Sequence, residues 1–259
     1  SNSLHRLLMA LGLGIGSTLA SSLVTTGLQD ITSGSAAGLR LWLKNNTNVT
    51  ASSWRDSSGY DNHATQGTEA NQASVSGGGL DFESARVSGN DPNGDFYNLA
   101  NKITIQENGG FCIAMVVTRE DNAIGTILGE GSAELVQFRD TNTFQIRTAN
   151  GGGTTNVDFA GDPFGTGSKF LFLINRTAGV QNKFTFFRNG TALTPNVDTS
   201  TNEAQGENPG LIALDVLGGN VGYVNYFDGI IHEIALWNRA LNTTEIADVN
   251  SFFTSYHGL

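Results

Sequence analysis

Apolar positions alternate with polar ones in short runs along the chain, and Gly, Asn, Ser and Thr punctuate the runs. In LRLWLK, Leu39, Leu41 and Leu43 share one face at the period of two that a strand requires. GFCIAMVVT (110–118) is almost continuously apolar, and KFLFLIN (169–175) sets Phe170, Phe172 and Ile174 in alternation. Both suit inner strands that are covered on two faces. NKFTFFRNGTAL alternates Phe184 and Phe186 and then places Asn189-Gly190, which tolerates positive φ at both centres of a tight turn, so a hairpin is predicted there. Further on, Phe227, Ile230 or Ile231, Ile234 and Leu236 predict a strand with one shift of phase. The period then becomes helical through Ile246, Val249, Phe253 and Tyr256. Asn242 stands where a cap belongs, Glu245 completes a capping box, and Gly258 stops the helix. The pattern predicts an all-β chain: two antiparallel sheets packed face to face, with one C-terminal helix over an end or edge.

The first residues break this pattern. Leu4, Leu7, Leu8 and Leu11 fall at helical spacing, after which Leu11, Leu13 and Ile15 alternate with Gly12, Gly14 and Gly16. His5 and Arg6 ahead of an apolar stretch also suit a secretory leader. A membrane span is the poorer reading, because seven Gly, Ser and Thr residues interrupt Leu7 to Val24 and the run is marginal in length. A retained assembly arm is expected, since such a segment cannot bury its own apolar face and needs another surface. Residues 25–38 turn to Thr, Ser, Gly and Ala, which puts a boundary near Ala37: an extended arm and linker over 1–37, and the β domain over 38–259.

Composition narrows the class. With 39% hydrophobic residues and 33 glycines in 259, the chain has material for a sizeable core joined by many turns. The net charge of −10 and the lack of a Lys/Arg cluster argue against nucleic acid as a partner. A lone cysteine, Cys112 in an apolar run, cannot form an internal disulfide and is expected to pack as a small hydrophobe.

The segment FDGIIHEIALWNRALNTTEI (227–246) resembles the closing motif of laminin G-like, concanavalin A-like jelly-roll domains: a glycine, a strand carrying an acidic residue, an Asn-Arg-Ala-Leu turn and a short helix. LRLWLKNNTNVTASSWRDSSGYDNHATQ, with Trp54-Arg55-Asp56 and Ser58-Gly59, resembles the family's opening, and FFRNGTAL its central hairpin. The resemblance spans roughly residues 38–257 and implies a two-sheet antiparallel jelly-roll sandwich. It implies less about function, because relatives bind sugars, proteins or calcium and some related jelly rolls hydrolyse glycans. Within the motif, Arg239 is expected to bond carbonyls or pair with Glu233, Leu241 to plug the sheet end, and Glu233 to serve as a structural carboxylate.

Candidate chemistry is sparse. Glycan hydrolysis calls for two facing carboxylates, as in E-x-D-x-x-E on one strand, and no such set occurs. The pairs Glu130/Glu134, Asp158/Asp162 and Glu203/Glu207 sit in contexts that suit solvated turns. Asp56, Asp61 and Asn62, or Asn90, Asp91, Asn93 and Asp95, offer oxygen ligands for calcium, though Asx turns account for both stretches. His5, His63, His232 and His257 are scattered, against a zinc site. Trp54, Tyr60, Tyr97, Tyr223 and Tyr226 are candidate sugar-stacking platforms, with burial expected for Trp42, Trp54 and Trp237. Five Asn-x-Ser/Thr matches start at Asn45, Asn48, Asn175, Asn189 and Asn242. No catalytic, cofactor or metal residue is therefore assigned. The sequence favours a non-enzymatic structural protein of a virus particle, a capsid decoration or fibre-associated subunit. Its jelly roll would be displayed in a homo-oligomer anchored through Leu4, Leu7, Leu8 and Leu11, with cell-surface glycans as further candidate ligands. The alternative is a secreted or surface carbohydrate-binding module.

Overall fold

The computed structural model describes residue 28 and residues 38–84, 94–130, 134–148, 154–179, 184–196, 210–220 and 225–259. Strands, numbered in chain order, form two antiparallel sheets. The first holds β1 (Leu39–Leu43), β5 (Ser74–Ser76), β6 (Gly79–Phe82), β8 (Phe111–Arg119), β13 (Lys169–Arg176), β14 (Phe184–Arg188), β15 (Thr191–Leu193) and β17 (Gly229–Trp237). The second holds β2 (Val49–Thr50), β3 (Ser53–Trp54), β4 (Ala64–Thr65), β7 (Tyr97–Ile105), β9 (Gly125–Gly129), β10 (Leu135–Phe138), β11 (Thr143–Arg147), β12 (Thr154–Asp158) and β16 (Ile212–Leu217). Their orders are β15-β14-β13-β8-β17-β6-β5, with β1 continuing the β6 side of β17, and β12-β11-β10-β9-β16-β7-β4-β3-β2. Helix α1 (Thr243–His257) covers the outer face of the first sheet. This is the predicted two-sheet jelly-roll sandwich with one C-terminal helix.

Alternation on the inner strands explains why both faces of the first sheet are buried. Phe111, Ile113, Met115 and Val117 of β8 join Phe170, Phe172 and Ile174 of β13 between the sheets. The intervening Cys112, Ala114, Val116, Leu171 and Leu173 pack with Leu241, Ile246, Val249 and Phe253 at the helix. A cluster of phenylalanines fills one end of the inter-sheet core, with ring centroids of Phe144 and Phe172 4.9 Å apart and of Phe138 and Phe164 5.0 Å apart. The predicted phase shift is a bulge in β17: Ile231 opposes Val117 and Glu233 opposes Val116, so His232 is the extra residue. The bulge keeps Ile231, Ile234 and Leu236 facing inward and turns Glu233 toward the helix. The hairpin at Asn189-Gly190 forms with φ of 49° and 78°. Trp42, Trp54, Trp237 and Cys112 are buried as expected.

Two positions depart from the pattern. A register irregularity between Leu39 and Leu41 moves Leu39 to the helix side, with Trp42, while Leu41 and Leu43 stay inside. Tyr256, predicted on the buried face of α1, is 48% exposed. At about 100° per residue the buried stripe runs from Val249 through Phe253 and Ile246 to Asn250, and His257 falls inside it while Tyr256 falls beyond its Val249 edge, so the His257 ring takes the buried place. Residues 4, 7, 8 and 11 and the boundary near Ala37 lie outside the described residues. Leu28 is fully buried in the cluster beneath α1.

Candidate functional site

The closing motif holds the sandwich end together. Glu233, with no exposed surface, accepts from Trp42 Nε1 at Oε1 (2.6 Å), and its Oε2 lies 2.8 Å from His257 Nε2. Glu233 is thus the structural carboxylate expected. Its partner is not Arg239, whose guanidinium bonds the Ala240 carbonyl (3.1 Å), the other half of that expectation, and grips Glu245 through two bonds of 2.8 and 2.6 Å. The bulge turns Glu233 under the helix end, whereas Arg239 leaves the sheet beside the helix start, where Glu245 also closes the capping box with Asn242. Asn175 exchanges two hydrogen bonds with the backbone of Leu241 and seats that plug.

Beside this end, Arg40 of β1 and Asn238 after β17 meet the 55–63 loop and β7 around a polar cleft of about 370 Å³. Asp56 shapes the loop, accepting from Trp42 N, Ser58 N, Ser58 Oγ and Asn62 N at 2.6–3.0 Å. Positive φ at Gly59 (90°) and Asp61 (56°) turns the chain so that Tyr60 projects, 49% exposed, with the Arg40 guanidinium 4.2 Å from its ring centroid. Across the cleft stand Asn101, Lys102 and Thr104. Lys102 is bonded to Glu130 (2.7 Å) and Asp215 (3.2 Å), and the Glu130 bond raises its pKa. In the wall, Asn62 is only 5% exposed and donates through Nδ2 to Arg40 O (2.7 Å), and its Oδ1 has no hydrogen-bond partner among the described residues. An aromatic ring, several amides, hydroxyls and an orphaned buried acceptor on a concave surface form the arrangement that recognises hydroxylated rings.

Of the sequence-predicted platforms, Tyr60 alone is exposed among the described residues; Trp54 and Tyr97 are fully buried and Tyr226 is half-buried against Phe96. Tyr223 lies outside the described residues. Arg40, Asn101, Lys102 and Thr104 carried no sequence signal and Asn238 only that of the closing turn, because the cleft joins four residues of β7 to one or two each from β1, the 55–63 loop and the turn after β17.

The calcium stretches separate. The Asp56 carboxylate is saturated by four protein donors, Asp61 is exposed with its Oδ1 3.8 Å from His63, and Asn62 faces the cleft, so the first stretch is a set of turns. Asn90, Asp91 and Asn93 lie outside the described residues, and Asp95 accepts from Glu83 N (2.8 Å). Instead Asp81, Glu83 and Glu120 bring carboxylate oxygens within 4.8 Å of one another, because β6 and β8 flank β17 where Gly229 pairs with both Phe82 and Arg119. Burial, then Glu83, Asp228 and Asp95, push Asp81 above the ordinary carboxylate range; burial, Asp81, Asp228 and Glu83 do the same to Glu120. These oxygens are the hard donors a calcium ion would take, though three are fewer than its usual six to eight.

Two further expectations change. Glu134 is buried, not solvated, and burial first, then a side-chain hydrogen bond shared with Glu130, raises its pKa. Asp158 lies on β12 while Asp162 accepts from Thr141 Oγ1, and Glu203/Glu207 lie outside the described residues. His232 and His257 are not scattered: their ring centroids are 6.4 Å apart. His232 Nε2 lies 2.9 Å from Thr118 Oγ1, and burial lowers its pKa to about 4.

A family model described as the concanavalin A-like lectin/glucanases superfamily matches residues 88–247. Among solved structures, a Trypanosoma rangeli sialidase bound to the inhibitor DANA is similar at 16% identity and a TM-score of 0.54, over 84% of this chain and 33% of the sialidase. The binding domain of Paraclostridial Mosquitocidal Protein 1 is similar at 16% identity and TM-score 0.53, over 89% and 53%. A botulinum neurotoxin type C structure, described by cell entry that depends on two ganglioside molecules, is similar at 13% and TM-score 0.50, over 88% and 53%. The chain spans about a third of the sialidase and about half of the two toxin structures. A search of curated proteins found no match. These likenesses correct the expectation that the chain is not an enzyme: similar structures include sialidases as well as binding domains, and the fold does not decide between them. The sequence argument for that expectation also weakens, since separate strands bring carboxylates together without any E-x-D-x-x-E spacing.

Proposed function

Because the chain belongs to the concanavalin A-like lectin/glucanases superfamily, we propose that its lectin-like jelly roll binds carbohydrate in the cleft beneath Tyr60. The observation that carries this reading is the exposed Tyr60 ring, backed by Arg40 and lining one cleft with Asn62, Asn101 and Asn238. A pyranose stacked on Tyr60 would place hydroxyls against the amides of Asn101 and Asn238, and Arg40 would meet the carboxylate of an acidic sugar. The ganglioside named for the botulinum neurotoxin structure makes sialylated glycans the first to try beside neutral ones. A glycan array followed by calorimetry tests the reading. Tyr60→Ala should weaken any hit by about tenfold or more, as loss of a stacking ring does. Binding that Tyr60→Ala leaves intact, or an array without hits, would overturn it.

A second reading rests on Leu28, whose burial beneath α1 ties the end of the N-terminal segment to the domain. A segment tied in this way suits attachment of the jelly roll to a larger assembly, a virion among them, through Leu4, Leu7, Leu8 and Leu11 and in several copies. Light scattering on the full chain and on a form lacking residues 1–24 decides the matter. An assembled state lost with the deletion supports it, and the same mass per particle-forming chain in both forms rejects it.

A further inference from the structure

A second cleft, on the opposite side of the closing turn, has a different chemistry. It runs between α1 and the outward face of β13 and β14 and encloses about 730 Å³. Phe184 and Phe186 of β14 point into the core, so Thr185 and Phe187 point out, Thr185 exposed and Phe187 half-buried against the cluster beneath α1. The floor is apolar, formed by half-buried Phe187 with Leu241 and Ile246. The rim carries Thr185, Ser251 and Thr254. Among the described residues no Asp, Glu, Lys, Arg or His lines it. Asn250, one helical turn after Ile246, is 5% exposed, and its side-chain Oδ1 has no hydrogen-bond partner among the described residues. The hairpin turn keeps the space open at that point: a Cβ on Gly190 would already touch Asn250 Cβ at 3.9 Å.

These features select one class of occupant. An anion finds no cation here, a cation finds no carboxylate, and a purely aliphatic chain leaves the rim hydroxyls of Thr185, Ser251 and Thr254 unmatched. A ring with an apolar face and outward hydroxyls satisfies both the floor and the rim. We propose that this cleft is a binding site for a neutral saccharide unit, separate from the cleft at Tyr60 and not dependent on it. Two sites on different sides of one domain would let a single chain engage two branches or two neighbouring glycans.

The test is an amide-resolved NMR titration of the full chain with maltose, cellobiose and N-acetyllactosamine, each to about 10 mM, where a millimolar Kd approaches saturation. At least one sugar should shift Thr185, Asn250 and Ser251, equally in wild type and in Tyr60→Ala. Ala247→Trp, at an exposed lining position, should fill the cleft and weaken that response by about tenfold or more without lowering Tm. Asn250→Leu removes the lining amide together with its unpaired buried oxygen, so Tm should hold or rise while affinity drops about tenfold. No shift at these residues with any of the three sugars, or shifts that survive Ala247→Trp, would overturn the proposal, whatever the Tyr60 cleft does.

Discussion

Replacing Glu233 with alanine should loosen the C-terminal helix from the sandwich. The carboxylate has no exposed surface and serves two buried donors, Trp42 Nε1 at 2.6 Å and the His257 ring at 2.8 Å. Alanine leaves both without an acceptor. An unsatisfied buried donor costs about 1–3 kcal/mol, and removing one member of a buried pair about 3–5 kcal/mol, so a loss near 4 kcal/mol is expected. For a domain of this size each kcal/mol moves Tm by about 2–4 °C, which puts the shift at roughly 8–16 °C. Glu233→Gln keeps an acceptor for Trp42 and an amide within hydrogen-bond reach of the His257 ring, so its cost should stay near 1 kcal/mol. Equilibrium urea unfolding followed by tryptophan fluorescence reads all three proteins. If alanine falls within about 1 kcal/mol of wild type, or glutamine costs as much as alanine, the carboxylate does not fasten the helix.

Two other outcomes follow from the same region. Burial lowers the folded-state pKa of His232 to about 4 from 6.5, so the unfolded chain takes up this proton first as pH falls; stability should decline from pH 6.5 to about 4 and then level, and His232→Gln should remove that component of the slope. Unfolding at pH 7, 5.5 and 4 checks it, and identical slopes in the two proteins would contradict it. Gly229→Ala places a Cβ 2.2 Å from Thr118 O at a φ of 128°, so it should cost roughly 2–6 kcal/mol from strain and overlap together; a soluble variant with unchanged Tm would refute the assigned backbone.

How much was legible differs by level. The nearly continuous apolar runs in 111–119 and 169–176 and the Asn189-Gly190 turn announced strands and a hairpin, since an inner strand covered on both faces needs apolar side chains on each of them. The capping box at Asn242 and Glu245 was equally readable, because cap chemistry acts within four residues. Arg239 shows the limit: its charge was evident, but choosing Glu245 over Glu233 depended on a bulge that turned one carboxylate under the helix and left the other at its start.

The sequence by itself determined the all-β class, the closing helix, the burial of the tryptophans and the phase shift in the last strand, because local periodicity and capping encode them. The tertiary structure alone decided the cleft around Tyr60, the neutral cleft beside α1, the grouping of Asp81, Glu83 and Glu120, and the pairing of Glu233 with His257. Each of these unites residues from strands, loops or the helix that are neighbours only in the folded chain, and that arrangement is set by the whole core packing at once.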